Sequence, residues 1–251
     1  MAAPDLVNLC RRPDRVIQFN TPEPIKSQQH KPGAAMPKPK SPPAATDDEV
    51  RALLERYRCP VPFHAVRTRF LGNIATPAMQ SAPMDTVAAL WGGNMPVFES
   101  LDAANELLGV LVMGLWNRLS RHQERSAPFR LTRIEVPVTR EGMSRLALMR
   151  QEELEGFVEG LFGDQDSLDF LERAHKALGV LAEIRAMLEG VRELADDPTK
   201  PAAPADIAGT LGHLREITRI AEHEMHELVL SCTRARRQML EVMPAGKPVL
   251  H

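Results

Sequence analysis

From residue 46 onward, apolar positions recur every three or four residues over most of the chain, which predicts helix after helix. Thr46-Asp47-Asp48-Glu49 reads as a capping box, with acids in the first turn to suit the positive helix end. That helix is expected to run to about Tyr57 and to stop at Cys59-Pro60-Val61-Pro62. Further helices are predicted from Phe63 to about Ile74 and over Met84–Leu90, where Trp91-Gly92-Gly93 supplies a left-handed stop. Ser100 caps the most apolar stretch, about 101–122, in which Leu107, Leu108, Leu111, Val112, Leu115 and Leu119 recur at helical spacing. Between Arg125 and Val138 the pattern changes to alternation in Phe129, Leu131, Ile134, Val136 and Val138, an irregular or briefly extended segment. Helical spacing resumes near Glu141 and continues to Phe162.

The last third has a longer period. Leu171, Ala174, Leu178, Leu181, Leu188 and Val191 predict one helix over about 167–195, broken by Asp196-Asp197-Pro198 and the prolines at 201 and 204. Ile207, Leu211, Leu214, Thr218, Ala221, Met225, Leu228, Cys232, Ala235, Met239 and Val242 then step by fours and threes. About five unbroken heptads of this kind suit a coiled-coil seam. Two long helices joined by a short proline-rich loop are expected to pack antiparallel, each roughly 45–55 Å long. The fold class is therefore all-α. A compact helical core over 46–165 precedes a long antiparallel hairpin over 166–243 and a flexible C-terminus over 244–251.

Residues 1–45 break the pattern. They are rich in proline, including Pro37-x-Pro39 and Pro42-Pro43, and too poor in apolar groups to offset ordering entropy, so a disordered tail is expected. One apolar island, with Leu6, Leu9, Val16, Ile17 and Phe19, is a candidate linear motif for docking a partner. The tail carries seven Lys/Arg against three acids, or +4, which leaves −6 on the rest of a chain whose net charge is −2.

Composition narrows the function classes. Aromatics at 4% are scarce and Leu, Ala and Met supply most of the apolar volume, in keeping with helices rather than strands. A net charge of −2 gives no global field toward nucleic acid or an anionic membrane. Cys10, Cys59 and Cys232 have no CxxC spacing, which fits a reducing cytoplasm. The longest apolar run, Leu107 to Trp116, spans only about half a bilayer, so membrane insertion is not expected.

Four sequence blocks suggest a family. Phe70-Leu71-Gly72-Asn73-Ile74, Leu90-Trp91-Gly92-Gly93-x-x-Pro96-x-Phe98, Leu111-Val112-Met113-Gly114-Leu115-Trp116-Asn117 and Glu155-Gly156-Phe157-Val158-Glu159-Gly160 lie in order over about residues 60–175. Together they resemble the YecA/YgfB-type bacterial helical proteins. The resemblance implies a compact all-helical fold, often self-associating, with no established enzymatic activity. The chain departs from that pattern at Glu153, where members often place tryptophan, and lacks the cysteine-rich zinc tail of some members.

Candidate chemistry is sparse. Trp91-Gly92-Gly93 lacks the framework of a phosphate loop and reads as a helix stop with an aromatic plug. Gly156 and Gly160, flanking Phe157, lie on one helix face and predict close helix–helix approach. Asn117 is expected to be buried and to tie down a neighbouring loop. Glu222, His223 and His226 are the only metal-like cluster, without HExxH spacing; a solvated flank is the default. Arg234, Arg236 and Arg237 complement a helix C-terminus or, with the basic tail, contact nucleic-acid phosphates. No catalytic constellation and no cofactor motif is found. The expectation is a non-catalytic interaction protein, an adaptor, assembly factor or regulator, that docks a protein partner or a second copy through its tail and its helical hairpin. The alternatives are a nucleic-acid- or ribosome-associated protein using the basic tail and Arg234–Arg237 and, ranked below it, a metal-binding protein at His223 and His226.

Overall fold

A computed structural model describes residues 45–78, 82–200 and 203–242. The tail residues Leu6, Leu9, Val16, Ile17 and Phe19, and the segment 244–251, lie outside the described residues.

The described residues are helical, with no strand among them. Helix α1 (Asp47–Arg56) starts where the capping box predicts: Thr46 Oγ1 accepts from the Glu49 amide at 3.2 Å, and Glu49 accepts from the Thr46 amide at 2.7 Å. Helix α2 (Phe63–Ala75) follows, with its second half almost entirely buried. Helix α3 (Pro83–Ala89) stops at Trp91: Gly92 and Gly93 take φ of 71° and 92°, and the Gly93 amide returns to the Ala88 carbonyl at 3.0 Å. The indole of Trp91 donates to the Tyr57 carbonyl at 2.9 Å, so the aromatic plug fastens the end of α1. The ring of Phe98, two residues after Pro96, meets Tyr57 edge-on at 5.4 Å.

The single helix expected over 101–122 is composite. Helix α4 (Leu101–Leu108) widens into a π-helical stretch, Gly109–Trp116, then narrows through α5 (Asn117–Ser120) into a 3₁₀ turn, Arg121–Gln123. Within the wide stretch Gly114 sits against Ala45, and Trp116 Nε1 donates to Asn73 Oδ1 at 3.0 Å. Asn117 is exposed and donates to the Met113 carbonyl of its own helix at 3.1 Å, correcting the buried role expected of it. No neighbouring loop depends on it.

Helix α6 (Arg140–Phe162) crosses α2 at a glycine contact. A Cβ on Gly156 would lie 2.6 Å from the Ala65 carbonyl oxygen, and one on Gly160 would lie 2.7 Å from the Arg69 carbonyl carbon. Gly72 meets them from α2, where a Cβ would lie 2.6 Å from the Leu161 amide nitrogen. Phe157, fully buried, fills the space beside them.

Helix α7 is Glu172–Asp196, shorter than expected at its start because Leu168 and Phe170 turn into the core instead of extending it. Helix α8 (Pro204–Val242) has 39 residues and is roughly 58 Å long. The heptad positions Ile207, Leu211 and Leu214 bury against α7. Further along, two neighbouring positions per turn are buried (Ala221 with Glu222, Met225 with His226, Leu228 with Val229), a broader face than a two-helix seam needs. That face packs on α2, α6 and the 3₁₀ turn. One hydrophobic cluster therefore holds Phe70 and Leu71 together with Met225, Leu228 and Cys232, and the boundary expected at residue 165 does not separate two cores.

Candidate interaction surfaces

The irregular or extended segment expected from Arg125 to Val138 is, over residues 124–139, a non-helical strap held by two buried carboxylates. Glu153, with no exposed surface, accepts from the Thr132 amide at 2.8 Å and pairs with Arg150. Arg150 in turn donates to the Thr132 carbonyl at 2.8 Å and to Thr218 Oγ1 on α8 at 3.2 Å. Glu222 accepts from the Leu131 amide at 2.9 Å and from Arg130 at 2.7 Å. Arg67 completes the clamp from α2, donating to Thr132 Oγ1 at 3.0 Å with its guanidinium over the Phe129 ring.

This geometry dissolves the metal-like cluster. Glu222 is committed to the strap, His223 is exposed, and His226 is buried on the face below. Among the described residues no group of three or more ligating side chains is placed to hold a metal ion. Glu222 belongs to the strap because its helical position adjoins the buried stripe, while His223 falls on the solvent side.

Beneath the strap lie two buried histidines. His122 Nδ1 bonds the Ala127 carbonyl at 2.7 Å, and its ring stands edge-on to Phe129 at 5.2 Å. The ring of His226 faces the Arg125 backbone, with Glu227 as a negative neighbour and Arg125, Arg121 and Arg67 as positive neighbours of the pair. Burial pushes both imidazoles below their ordinary 6.5. In the unfolded chain they bind protons near 6.5, and in the folded protein only at lower pH. Between those values the unfolded state binds more protons, so stability falls as pH drops below about 6.5. Urea midpoints measured from pH 7.5 to 5.5 are expected to decline, and the decline is expected to flatten in the pair His122→Phe with His226→Leu.

The basic cluster also divides. Arg234 and Arg237 are exposed, but Arg236 turns inward and donates to the Ile74 carbonyl at the end of α2, 2.7 Å away. Only two of the three expected arginines face solvent, which weakens the phosphate-binding reading. Arg236 has two counterparts. Arg140 donates to the carbonyls of Leu194 and Asp197 at the end of α7, at 3.2 and 2.9 Å, and Arg69 donates to the Ala89 carbonyl at the end of α3, at 3.2 Å. Arginines distant in sequence thus cover three helix C-termini, whose unsatisfied carbonyls carry partial negative charge.

Among the described residues, two further concave surfaces are open to solvent. One is a shallow apolar groove of about 380 Å³ between α7 and α8, lined by Met187, Val191 and Leu194 on one side and His213, Leu214 and Ile217 on the other. Met187 and Leu194 are 48% and 41% exposed there. The other is a cleft of mixed lining, about 680 Å³, bounded by Arg69, the end of α3 with Ala89, Gly92 and Gly93, and the end of α6 with Glu159, Phe162 and Asp164. Sequence reasoning missed both, because each is assembled from positions that look like ordinary helix surface.

Cys59 and Cys232 are the two thiols among the described residues. Burial holds Cys232 at about 12 and raises Cys59, and neither is in a disulfide. Comparison with protein-family models, with curated proteins and with solved structures finds no match to this chain.

Proposed function

We propose that this protein is a non-catalytic interaction module, an adaptor, assembly factor or regulator, that docks a protein partner through its α7–α8 hairpin. The observation that carries the reading is the apolar groove on that hairpin, with Met187 and Leu194 open to solvent beside Val191 and Ile217. An amphipathic partner helix recognises such a groove by inserting side chains spaced three and four apart. Supporting the non-catalytic half of the reading, Glu153, Glu222 and Arg150 are all taken up in holding the strap. A YecA/YgfB-like character for residues 60–175 belongs to the same proposal. Its motif residues meet one another, Gly72 against Gly160 and Trp116 against Asn73. Among the described residues no helix is long and apolar enough to cross a membrane.

Deleting the hairpin would strip the core of the broad α8 face, so the test uses point substitutions. Met187→Asp and Leu194→Asp are expected to leave the helical circular dichroism unchanged and to remove the same partner from quantitative affinity purification of the tagged full chain. Retention of every partner by both variants would overturn the proposal.

A further inference from the structure

Helices α7 and α8 each carry a second heptad stripe beside the one that joins them. On α7 it runs through Lys176, Val180, Glu183, Met187 and Gly190, and on α8 through Asp206, Thr210, His213, Ile217 and Ile220. Met187 and Gly190 on one side and Thr210, His213 and Ile217 on the other line the apolar groove. Ile220, 43% exposed, continues the stripe beyond it. Two adjacent stripes per helix are the pattern of a four-helix bundle, where one stripe meets the helix of the same hairpin and the other meets a second hairpin.

The two open stripes complement each other. Arg173 on α7 reaches Glu224 and Glu227 on α8, which sets Ile184 about level with Leu214. Met187 lies three residues from that level toward the connecting loop, and Ile217 lies three residues away from the loop. Gly190 and Ile220 lie six residues off in the same two directions. Lys176 lies eight residues away from the loop and Asp206 eight residues toward it, while Glu183 and His213 stand one residue to either side of the level. A two-fold axis laid across the hairpin at this level turns one copy end for end over another, and each pair then shares a layer between copies. Met187 meets Ile217, and Ile220 enters the space at Gly190, where nothing lies within 4 Å of a would-be Cβ. The Glu183 carboxylate meets an N–H of His213, and Lys176 meets Asp206.

The charges choose this arrangement over the other two-fold one. An axis along the hairpin would put Lys176, Glu183 and Asp206 each in a layer with the same residue of the other copy, and like charges disfavour that. Among the described residues these three side chains have no ion-pair partner within the chain, whereas Arg173, Arg185 and Arg219 of the same helices are paired. We infer that a second copy of this chain occupies the groove, hairpin on hairpin and end for end, so that the partner in the hairpin reading, on which this rests, is the protein itself. From Lys176 to Leu194 the face is roughly 27 Å long and about 20 Å wide. Two copies therefore bury on the order of 1,000 Å², the low end for a specific interface, and a dissociation constant of about 1 μM is expected.

Sedimentation equilibrium of the full chain at concentrations spanning about 1–200 μM is expected to show the mass rise from one 27.9 kDa chain toward two. Met187→Asp is expected to weaken the dimer at least about tenfold. Lys176→Glu and Asp206→Lys, both at exposed positions, are each expected to weaken it about fivefold, because two-fold symmetry uses the pair twice. The two reversals combined are expected to restore it, a result that a merely structural role would not give. Within one chain Lys176 and Asp206 are about 24 Å apart along the hairpin, so a carbodiimide link between them joins two copies, and mass spectrometry of the crosslinked dimer is expected to find it. A chain that stays monomeric throughout the range would overturn the inference, and if Met187→Asp still removes a foreign partner the hairpin reading stands without it. Failure of the combined reversals to restore the dimer, or a dimer without the 176–206 link, would also overturn it. A dimer unchanged by Met187→Asp, with every foreign partner retained, would overturn both readings.

Discussion

Replacing Glu153 with alanine is expected to destabilise the protein by about 3–5 kcal/mol, the cost of leaving a buried charge without its partner. Glu153 is fully buried, Arg150 is 6% exposed, and the two are bound to each other and to both polar groups of the Thr132 backbone. Without the carboxylate, the Arg150 guanidinium stays in the core with Thr132 O and Thr218 as its only partners, and the Thr132 amide has none. Chemical denaturation is expected to show a lower midpoint with an unchanged slope. The Arg150→Ala/Glu153→Ala double variant is expected to lose less than the sum of the two single variants, because each single change strands the other member. A loss below about 1 kcal/mol for Glu153→Ala, the size of an ordinary surface substitution or less, would show that the pair is solvated.

Gly160→Ala is expected to cost about 3 kcal/mol or more, at the upper end for overpacking. The new methyl would meet the carbonyl of Arg69, a backbone atom of α2 that cannot rotate aside. Either the α2–α6 crossing opens or the helices slide, and Phe157 loses contacts in both cases. Gly179→Ala is the matched control. That glycine is helical and exposed with nothing within 4 Å of its missing Cβ, so the substitution is expected to stabilise by about 0.5–1 kcal/mol. Thermal unfolding of the two variants should move in opposite directions. Equal behaviour would mean that the helix crossing tolerates a side chain.

These two sites differ in how far they can be read from sequence. The glycine pair announces itself, because Gly156 and Gly160 repeat at four on a helix with an acid before each of them, and only close packing rewards that pattern. The cap at Thr46 and the stop at Trp91-Gly92-Gly93 are equally local, since every partner lies within a few residues. The Arg150–Glu153 pair is different: an arginine three residues before a glutamate is what any solvated helix carries. A signal does exist. Met143, Leu146, Ala147, Leu154, Phe157 and Leu161 form one buried stripe, and positions 150 and 153 fall on it. Charges that interrupt an apolar stripe ask for a partner elsewhere, but nothing in the pattern names Thr132. Arg236 and Glu222 are hard to read from sequence for the same reason, as their partners Ile74 and Leu131 are distant in sequence. Heptad spacing located the buried face of α8 and said nothing of what covers it.

The strap also sets an order of events during synthesis. The Leu131 amide obtains its acceptor from Glu222, 91 positions later, and the Ile74 carbonyl obtains its donor from Arg236, 162 positions later. A nascent chain emerging from the ribosome can form α1 through α6 while these groups still face water. The core cannot close until most of α8 has been made. Such long-range contacts slow folding, because chain entropy is lost before they form. Until then the apolar surfaces around Phe129 and Leu131 stay open to whatever else binds hydrophobic chain, so the emergence of α8 ends that exposure.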